Sequence, residues 1–349
     1  MITFENRIVQ EDLKEIISAS YLNLEKLRGK TILITGVSGM LATYLAYTIY
    51  YLNVHENFQT KVIGTARNME KADAKFRNLS KEYFELIQHD VTEPLDYEGD
   101  IDYIIHAASN ASPKFISTDP VGIIKANTLG TMNLLELSRK KTIQNFLFLS
   151  TREIYGKSIK NSLTEQDYGG FDILSPRACY PESKRMAETL LASYAVQYNM
   201  PYTVARIAHS YGPGMEINHD GRIMSDLISN VVNSEDIILK SEGTAERAFC
   251  YISDATTALL AILLNGDSGQ AYNVANEDEP IQIRDLAQKL VILLPEKNLK
   301  VKFDIPESQS TAYSTDGRTV MDMSKIEKLG WHRIVTLDSG LKKTIESFE

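Results

Sequence analysis

Short apolar runs alternate with longer stretches of helical spacing along most of the chain. The runs predict strands at 31–35, 61–66, 84–88, 102–106, 145–150, 202–207 and 271–274. Between and after them, helical spacing predicts helices near 40–52, 68–78, 121–140, 180–198, 222–233, 254–264, 283–293 and 338–347. An amphipathic helix over 10–27, carrying Leu13, Ile16, Ile17, Leu22, Leu24 and Leu27, is predicted ahead of the first strand. Apolar strands separated by helices predict an α/β fold, a parallel sheet covered on both faces. Gly- and Pro-bearing segments after Arg206 (Tyr211-Gly-Pro-Gly-Met215, Pro280, Pro295, Pro306) predict a smaller C-terminal lobe. The expected division is a helical extension over 1–29 and a sheet domain over 30–207 with 248–276 returning to it. The second lobe is then built from 208–247 and 277–349.

Charge and composition narrow the function classes. Of 349 residues, 37 are Lys or Arg and 46 Asp or Glu, for a net charge of −9, which argues against a nucleic-acid backbone as partner. Two cysteines without a CxxC pattern and an N-terminus without an apolar signal core point to a cytoplasmic protein. None of the six histidines forms an HxxxH pair, so no metal is expected. Thr31 to Val54 holds no formally charged residue over 24 positions. It divides into a strand, a Gly-Val-Ser-Gly turn and a tyrosine-rich helix, so no membrane span is expected.

That turn carries the first chemistry. In Thr35-Gly36-Val-Ser38-Gly39-Met40-Leu41-Ala42 a strand runs into a helix through glycines. Gly36 permits the tight turn, Gly39 lets a pyrophosphate approach the backbone, and the helix N-terminus faces the anion. The second strand ends in Thr65-Ala66-Arg67 where an acidic residue would hold the ribose hydroxyls. Arg67 there is either an acceptor for a 2′-phosphate or a solvated surface arginine, so NAD is the expected cofactor with NADP as the alternative. Asp90 and Val91, after the third strand, are placed near the adenine. Thr151 ends the fifth strand, and Tyr180 and Lys184 follow at i,i+4 on one helical face. An ammonium beside a phenol favours the phenolate, which makes Tyr180 a candidate base, with Thr151 bonding the same substrate oxygen.

Carried by these motifs and others, the sequence resembles the extended short-chain dehydrogenase/reductase (NAD-dependent epimerase/dehydratase) superfamily, and within it the UDP-glucuronate decarboxylases (UDP-xylose synthases). The further segments are Glu85-Leu-Ile-Gln-His-Asp90-Val-Thr-Glu-Pro-Leu95, His106-Ala-Ala-Ser-Asn-Ala-Ser-Pro113, Ile124-Lys-Ala-Asn127, Pro176-Arg-Ala-Cys-Tyr180, Asp220-Gly-Arg222 and Arg247-Ala-Phe-Cys-Tyr-Ile-Ser-Asp254. The resemblance implies a Rossmann doubly wound parallel sheet with a smaller C-terminal substrate-binding lobe. It implies an enzyme with tightly held nicotinamide that oxidises a sugar C4 transiently, most like a UDP-glucuronate decarboxylase. A C4 epimerase is the alternative, then a 4,6-dehydratase, and last a non-catalytic dinucleotide-binding module. Implied catalytic residues are Thr151, Glu153, Tyr180 and Lys184. Gly36, Ser38, Gly39, Met40, Leu41, Arg67, Asp90, Val91, Ala107, Ala108, Ser109, Asn127, Tyr180 and Lys184 would bind the cofactor. Ser112, Arg152, Arg222 and Arg247 would bind a nucleotide sugar, a UDP-sugar by the same resemblance. Asn127 would anchor the helix that carries Lys184, and the helices at 121–140 and 180–198 would pair two copies into a homodimer.

Two departures matter. Arg152 stands where decarboxylases of the family carry Ser and 4,6-dehydratases carry Asp. A guanidinium stays protonated and cannot serve as that acid, which disfavours dehydration. It either binds a substrate carboxylate or turns away to pair with one such as Glu165. Gly214 replaces an arginine common among relatives and removes a cation from the substrate lobe. His106 is expected to be a hydrogen-bonded wall residue, His209 and His219 loop histidines, and Cys179 no nucleophile. The Tyr44, Tyr47 and Tyr51 stripe is expected to pack in the core.

Overall fold

A computed structural model describes residues 2–158, 160–218, 220–305 and 319–349. His219 and Pro306 lie outside the described residues. Seven parallel strands form the central sheet: β1 Thr31–Thr35, β2 Lys61–Ala66, β3 Phe84–Gln88, β4 Tyr103–His106, β5 Asn145–Thr151, β6 Tyr202–Ile207 and β7 Gln270–Val274. Their spatial order is β3-β2-β1-β4-β5-β6-β7, so the direction of winding reverses between β1 and β4. In open α/β sheets that reversal leaves a crevice at the carboxyl ends of the strands, where ligands bind. The sheet confirms the doubly wound parallel fold expected from the alternation of apolar runs.

Side-chain alternation along the strands feeds two cores. Ile32, Ile34, Ile105, Leu147 and Leu149 face one side, and Leu33, Ile104, Phe146 and Phe148 face the other. The first side is covered by α1 (Arg7–Ile17), α2 (Met40–Glu56) and α8 (Ile252–Asn265). The second is covered by α5 (Pro120–Arg139) and α6 (Cys179–Tyr198), which pack against each other. The 24-residue uncharged run is β1, the turn and most of α2, and α2 is buried almost all round. That is why it lacks charge. Among the described residues, no helix is long and apolar enough to cross a membrane.

The N-terminal helix is shorter than its pattern. α1 ends at Ile17, the chain turns at Ser18, and a 3₁₀ turn follows at Leu24–Leu27. Ser18 Oγ donates to the Glu15 carbonyl at 2.7 Å, a local side-chain bond that competes with continuation of the helix. α1 is part of the core: Asp12 is fully buried and accepts hydrogen bonds from Tyr44 (2.9 Å), Tyr251 (2.8 Å) and Lys343 (2.9 Å). Tyr44 and Tyr47 are buried as expected, and the Tyr47 hydroxyl donates to the Lys75 carbonyl at 2.9 Å. Beyond β6, paired two- and three-residue strands and the helices α7 (Ile223–Val232) and α9 (Ile283–Leu293) build the remaining mass, with Leu227, Ile228, Leu286 and Leu290 in its core.

Candidate active site

At the carboxyl end of β1, Gly36 adopts φ +63° and Gly39 caps α2. A Cβ on Gly36 would lie 2.7 Å from Ala108 Cα, so the loops after β1 and β4 approach to a distance only glycine allows. Thr35 Oγ1 fixes the second loop, accepting from the backbone N–H groups of Ala107 (3.2 Å) and Ala108 (3.3 Å) and meeting His106 Nδ1 at 2.8 Å. His106 is the wall residue expected, its pKa pushed down to about 3 by burial and then by Lys184. Met40 and Leu41 open α2 behind Ser38. Val91 is buried against Gly130 of α5, and its carbonyl accepts from Asn133 at 3.0 Å.

One residue of this loop region was not visible in the sequence. α3 (Met69–Phe76) carries Lys75, which is 5% exposed and donates to the Ser38 carbonyl at 2.8 Å and to Thr43 Oγ1 at 3.2 Å. Burial pulls its pKa down to about 8. A buried amine thus braces the glycine turn from below, and its partner lies 37 positions away, beyond any local pattern.

The residues fit a dinucleotide. The groove has backbone closeness at Gly36 and a helix N-terminus at Gly39. Its edging segments hold buried polar atoms without a protein partner: Thr65 Oγ1, His106 Nε2, Ser109 Oγ and Asn127 Oδ1. Unpaired buried polar atoms are rare in native structures and call for an outside partner. Gly36→Ala should therefore strip the protein of bound dinucleotide, because the added methyl meets backbone atoms of Ala108. Quantifying the nucleotide released by denaturation checks this, and wild-type occupancy would contradict it.

The reactive pair comes from β5 and α6. Tyr180 is 6% exposed, and Thr151, whose Oγ1 accepts from the Glu153 N–H at 3.2 Å, is among the groups that act on its phenol. Burial pushes its pKa well up, Glu153 adds to this, and Thr151, Arg177 and Arg222 act the other way. Lys184, one turn on, is 3% exposed, donates to the Leu149 carbonyl at 2.6 Å and lies 4.5 Å from the centre of the Phe148 ring. Its own pKa is pulled down to about 7 by burial. In this arrangement the Lys184 amine is engaged with the Leu149 carbonyl, and the cations acting on Tyr180 are Arg177 and Arg222. Asn127, fully buried in α5, donates to Ser183 Oγ at 2.9 Å and so anchors α6 beside Lys184.

Around this pair the substrate candidates are spread over several segments. Glu153 accepts from Arg177 at 2.7 Å, a partner the sequence reading did not single out. Arg152 does not reach Glu165, whose Oε1 accepts instead from the Asn273 backbone at 2.8 Å. Arg152 Nη1 lies 3.4 Å from His209 Nε2. His209 is exposed, as expected of a loop histidine. Arg222 caps α7 and pairs with Asp220. Arg247 donates to the Glu246 carbonyl at 2.7 Å, and Ser112 caps α4 (Pro113–Thr118). At Gly214 a Cβ would lie 3.1 Å from Ile2 Cδ1, so the N-terminal segment borders the place where relatives carry an arginine. Cys179 is buried, which raises its thiol pKa, as expected for a residue without a nucleophilic role.

Glycine turn, winding reversal and the Thr151–Tyr180–Lys184 set define a dinucleotide-dependent enzyme of the short-chain dehydrogenase type. Residues 32–275 match the model of the NAD dependent epimerase/dehydratase family, and the chain belongs to that family. It is 36% identical over 324 residues to UDP-glucuronic acid decarboxylase 1 of Danio rerio, covering 91% of this chain and 72% of the relative. With UDP-glucuronic acid decarboxylase 6 of Arabidopsis thaliana it shares 35% identity, covering 91% of this chain and 88% of the other. Among solved structures, a UDP-glucose 4-epimerase of Thermotoga maritima with UDP-glucose superposes with a TM-score of 0.75 at 24% identity, covering 91% of this chain and 98% of that one. A UDP-glucuronic acid 4-epimerase of Bacillus cereus in complex with NAD gives 0.73 at 22%, covering 91% and 96%. These two support the fold.

Proposed function

We propose that this enzyme decarboxylates UDP-glucuronate by transient oxidation at C4. The observation that carries the sugar-acid substrate is Arg152, set directly after Thr151 and without a carboxylate partner among the described residues, and the likeness to UDP-glucuronic acid decarboxylases supports decarboxylation over epimerisation. A fixed cation at that position suits a sugar acid. It cannot protonate a leaving hydroxyl, as dehydration would require.

The chain's own residues supply binding and proton chemistry. Thr151 and Tyr180 lie close enough for Thr151 to act on the phenol, so a sugar hydroxyl bound beside them would meet both hydroxyls. The groove at Gly36 and Gly39 would hold NAD, which would supply the acceptor for the C4 hydride and the donor for its return. Tyr180 takes the C4 hydroxyl proton, with Arg177 and Arg222 offsetting part of the rise that burial and Glu153 impose on its phenol. The C4 ketone stands β to the C6 carboxylate. When the C5–C6 bond breaks, carbon dioxide leaves and the electron pair passes to the C4 oxygen, where the Thr151 and Tyr180 hydroxyls stabilise the charge. Glu153, tied to Arg177, stands beside this centre to order the water or proton that reaches C5. Tyr180 finally returns its proton to the C4 oxygen.

Several coarser features join this reading. The described residues of 208–247 and 277–349 are assigned to the sugar-nucleotide lobe, with Arg222 and Arg247 as candidates to meet the diphosphate. Val121, Ile124 and Met132 on α5 and Met186 on α6 remain exposed, an apolar face suited to pairing two copies. Cytoplasmic residence is consistent with two unpaired cysteines.

Incubating the purified protein with UDP-glucuronate and weighing the product tests the reading. Loss of carbon dioxide supports it, an isomer of unchanged mass indicates C4 epimerisation instead, and no product contradicts both. Arg152→Ala should raise KM for UDP-glucuronate by roughly 10-fold or more, the scale of a lost charge-assisted hydrogen bond. UDP-glucose binding should change little, and equal losses for both ligands would remove Arg152 from the carboxylate site.

A further inference from the structure

The family match implies NAD, yet the edge of the groove that meets the adenosine ribose lacks the group that selects it. In dinucleotide folds a carboxylate at the end of the second strand accepts hydrogen bonds from the ribose hydroxyls, and it repels a phosphate on the 2′ oxygen. Here β2 ends in Thr65-Ala66, followed by Arg67 and Asn68, and the next acidic side chain is Glu70 inside α3. Thr65 is fully buried, its Oγ1 among the polar atoms without a protein partner. The Val37 N–H donates to the Thr65 carbonyl at 3.0 Å, so this strand end lies directly against the glycine turn.

Arg67 extends from that end with its side chain 59% exposed. Its Nη1 lies 3.7 Å from Asp90 Oδ2, beyond hydrogen-bond length, while Asp90 Oδ1 is taken by the Thr92 N–H and hydroxyl at 2.9 Å each. Asp90 therefore makes a long ion pair with Arg67 and leaves its fork without a direct hydrogen bond among the described residues. Four residues on, Lys71 pairs with Glu216 at 3.4 Å, and its backbone N–H is capped by Asn68 Oδ1 at 2.9 Å.

From this geometry we propose that the adenosine end of the groove receives a 2′-phosphate on Arg67, so that the enzyme takes NADP at least as readily as NAD. A phosphate dianion fits a planar guanidinium fork bidentately and in preference to a distant carboxylate. The proposal concerns the cofactor alone and stands whichever sugar nucleotide is the substrate.

The test is a partition measurement. Purified protein is equilibrated with equimolar NAD⁺ and NADP⁺ until the bound ratio is constant, desalted and denatured, and the released dinucleotides are quantified by mass spectrometry. The wild type should release at least as much NADP as NAD. Arg67→Gln should shift the ratio at least 10-fold toward NAD at unchanged total occupancy, and Arg67→Lys should restore part of the NADP share. An excess of NAD on the wild type, or a smaller shift in Arg67→Gln, overturns the proposal. Because Arg67 is exposed and the readout is bound nucleotide, a folded variant is recognised by its retained NAD.

Discussion

Tyr180→Phe should lower kcat by roughly 10²–10⁴-fold, the range over which a positioned general base acts, while leaving the fold and the bound cofactor in place. Only the hydroxyl is removed: the ring keeps its place in the cluster with Ile116, Ile123 and Cys179, and Lys184 keeps its bond to the Leu149 carbonyl. What disappears is the phenol hydroxyl, the group on which Thr151, Arg177 and Arg222 act. Single-turnover kinetics alongside quantification of bound dinucleotide separate the two effects. A variant within a few-fold of wild type would remove Tyr180 from the chemistry, whereas one that lost its cofactor would make it a binding residue.

Glu188→Ala should be the most damaging stability change near the site, costing about 3–5 kcal/mol, as expected when one partner of a buried ion pair is deleted. The Arg206 side chain is 6% exposed and donates to Glu188 through Nη2 at 2.7 Å and Nε at 3.2 Å. Its remaining nitrogen donates to the Tyr155 hydroxyl at 3.1 Å and the Glu165 carbonyl at 2.8 Å, and Tyr155 passes the chain on to Asn273 at 2.5 Å. Removing the carboxylate leaves a desolvated guanidinium and frees Ser150 Oγ, which donates to Glu188 at 2.5 Å immediately before Thr151. Glu188→Gln keeps most acceptors and should cost less. Urea unfolding of both variants measures this. A loss below about 1 kcal/mol in Glu188→Ala would show that water replaces the carboxylate at no great penalty.

Much of this architecture is written locally. The inner strands of the central sheet are legible because each is a short apolar run buried on both faces, the edge strands β3 and β7 being only partly buried, and the glycine turn because Gly36 and Gly39 must sit at fixed offsets from β1. Tyr180 and Lys184 share a helical face by spacing alone. Other features depend on partners far away in the chain. The strand Ser210–Tyr211 exists only through pairing with Cys250–Tyr251, and two residues carry no period to detect. Lys75 beneath Ser38, Arg177 on Glu153 and His209 beside Arg152 are contacts across 37, 24 and 57 positions. The helix expected over 10–27 failed for a nearer reason: Leu22, Leu24 and Leu27 do serve the core, but they do so after a turn at Ser18. Apolar spacing reports burial more faithfully than it reports a continuous helix.

Charge placement follows the same logic. On the proposed reading, a protein of net charge −9 would meet an anionic cofactor and an anionic sugar nucleotide through backbone N–H groups at Gly39 and through Arg67, Arg152, Arg222 and Arg247, with Lys75 bracing the glycine turn through the Ser38 carbonyl.

The central claim is that one site oxidises C4, releases the adjacent carboxylate and restores the same C4 hydrogen. Incubating the enzyme with UDP-glucuronate deuterated at C4 and measuring the mass of the nucleotide product tests this in one step. The account predicts a UDP-pentose, lighter by carbon dioxide, that retains the deuterium. A pentose without deuterium, or a labelled hexuronate of unchanged mass, would contradict it.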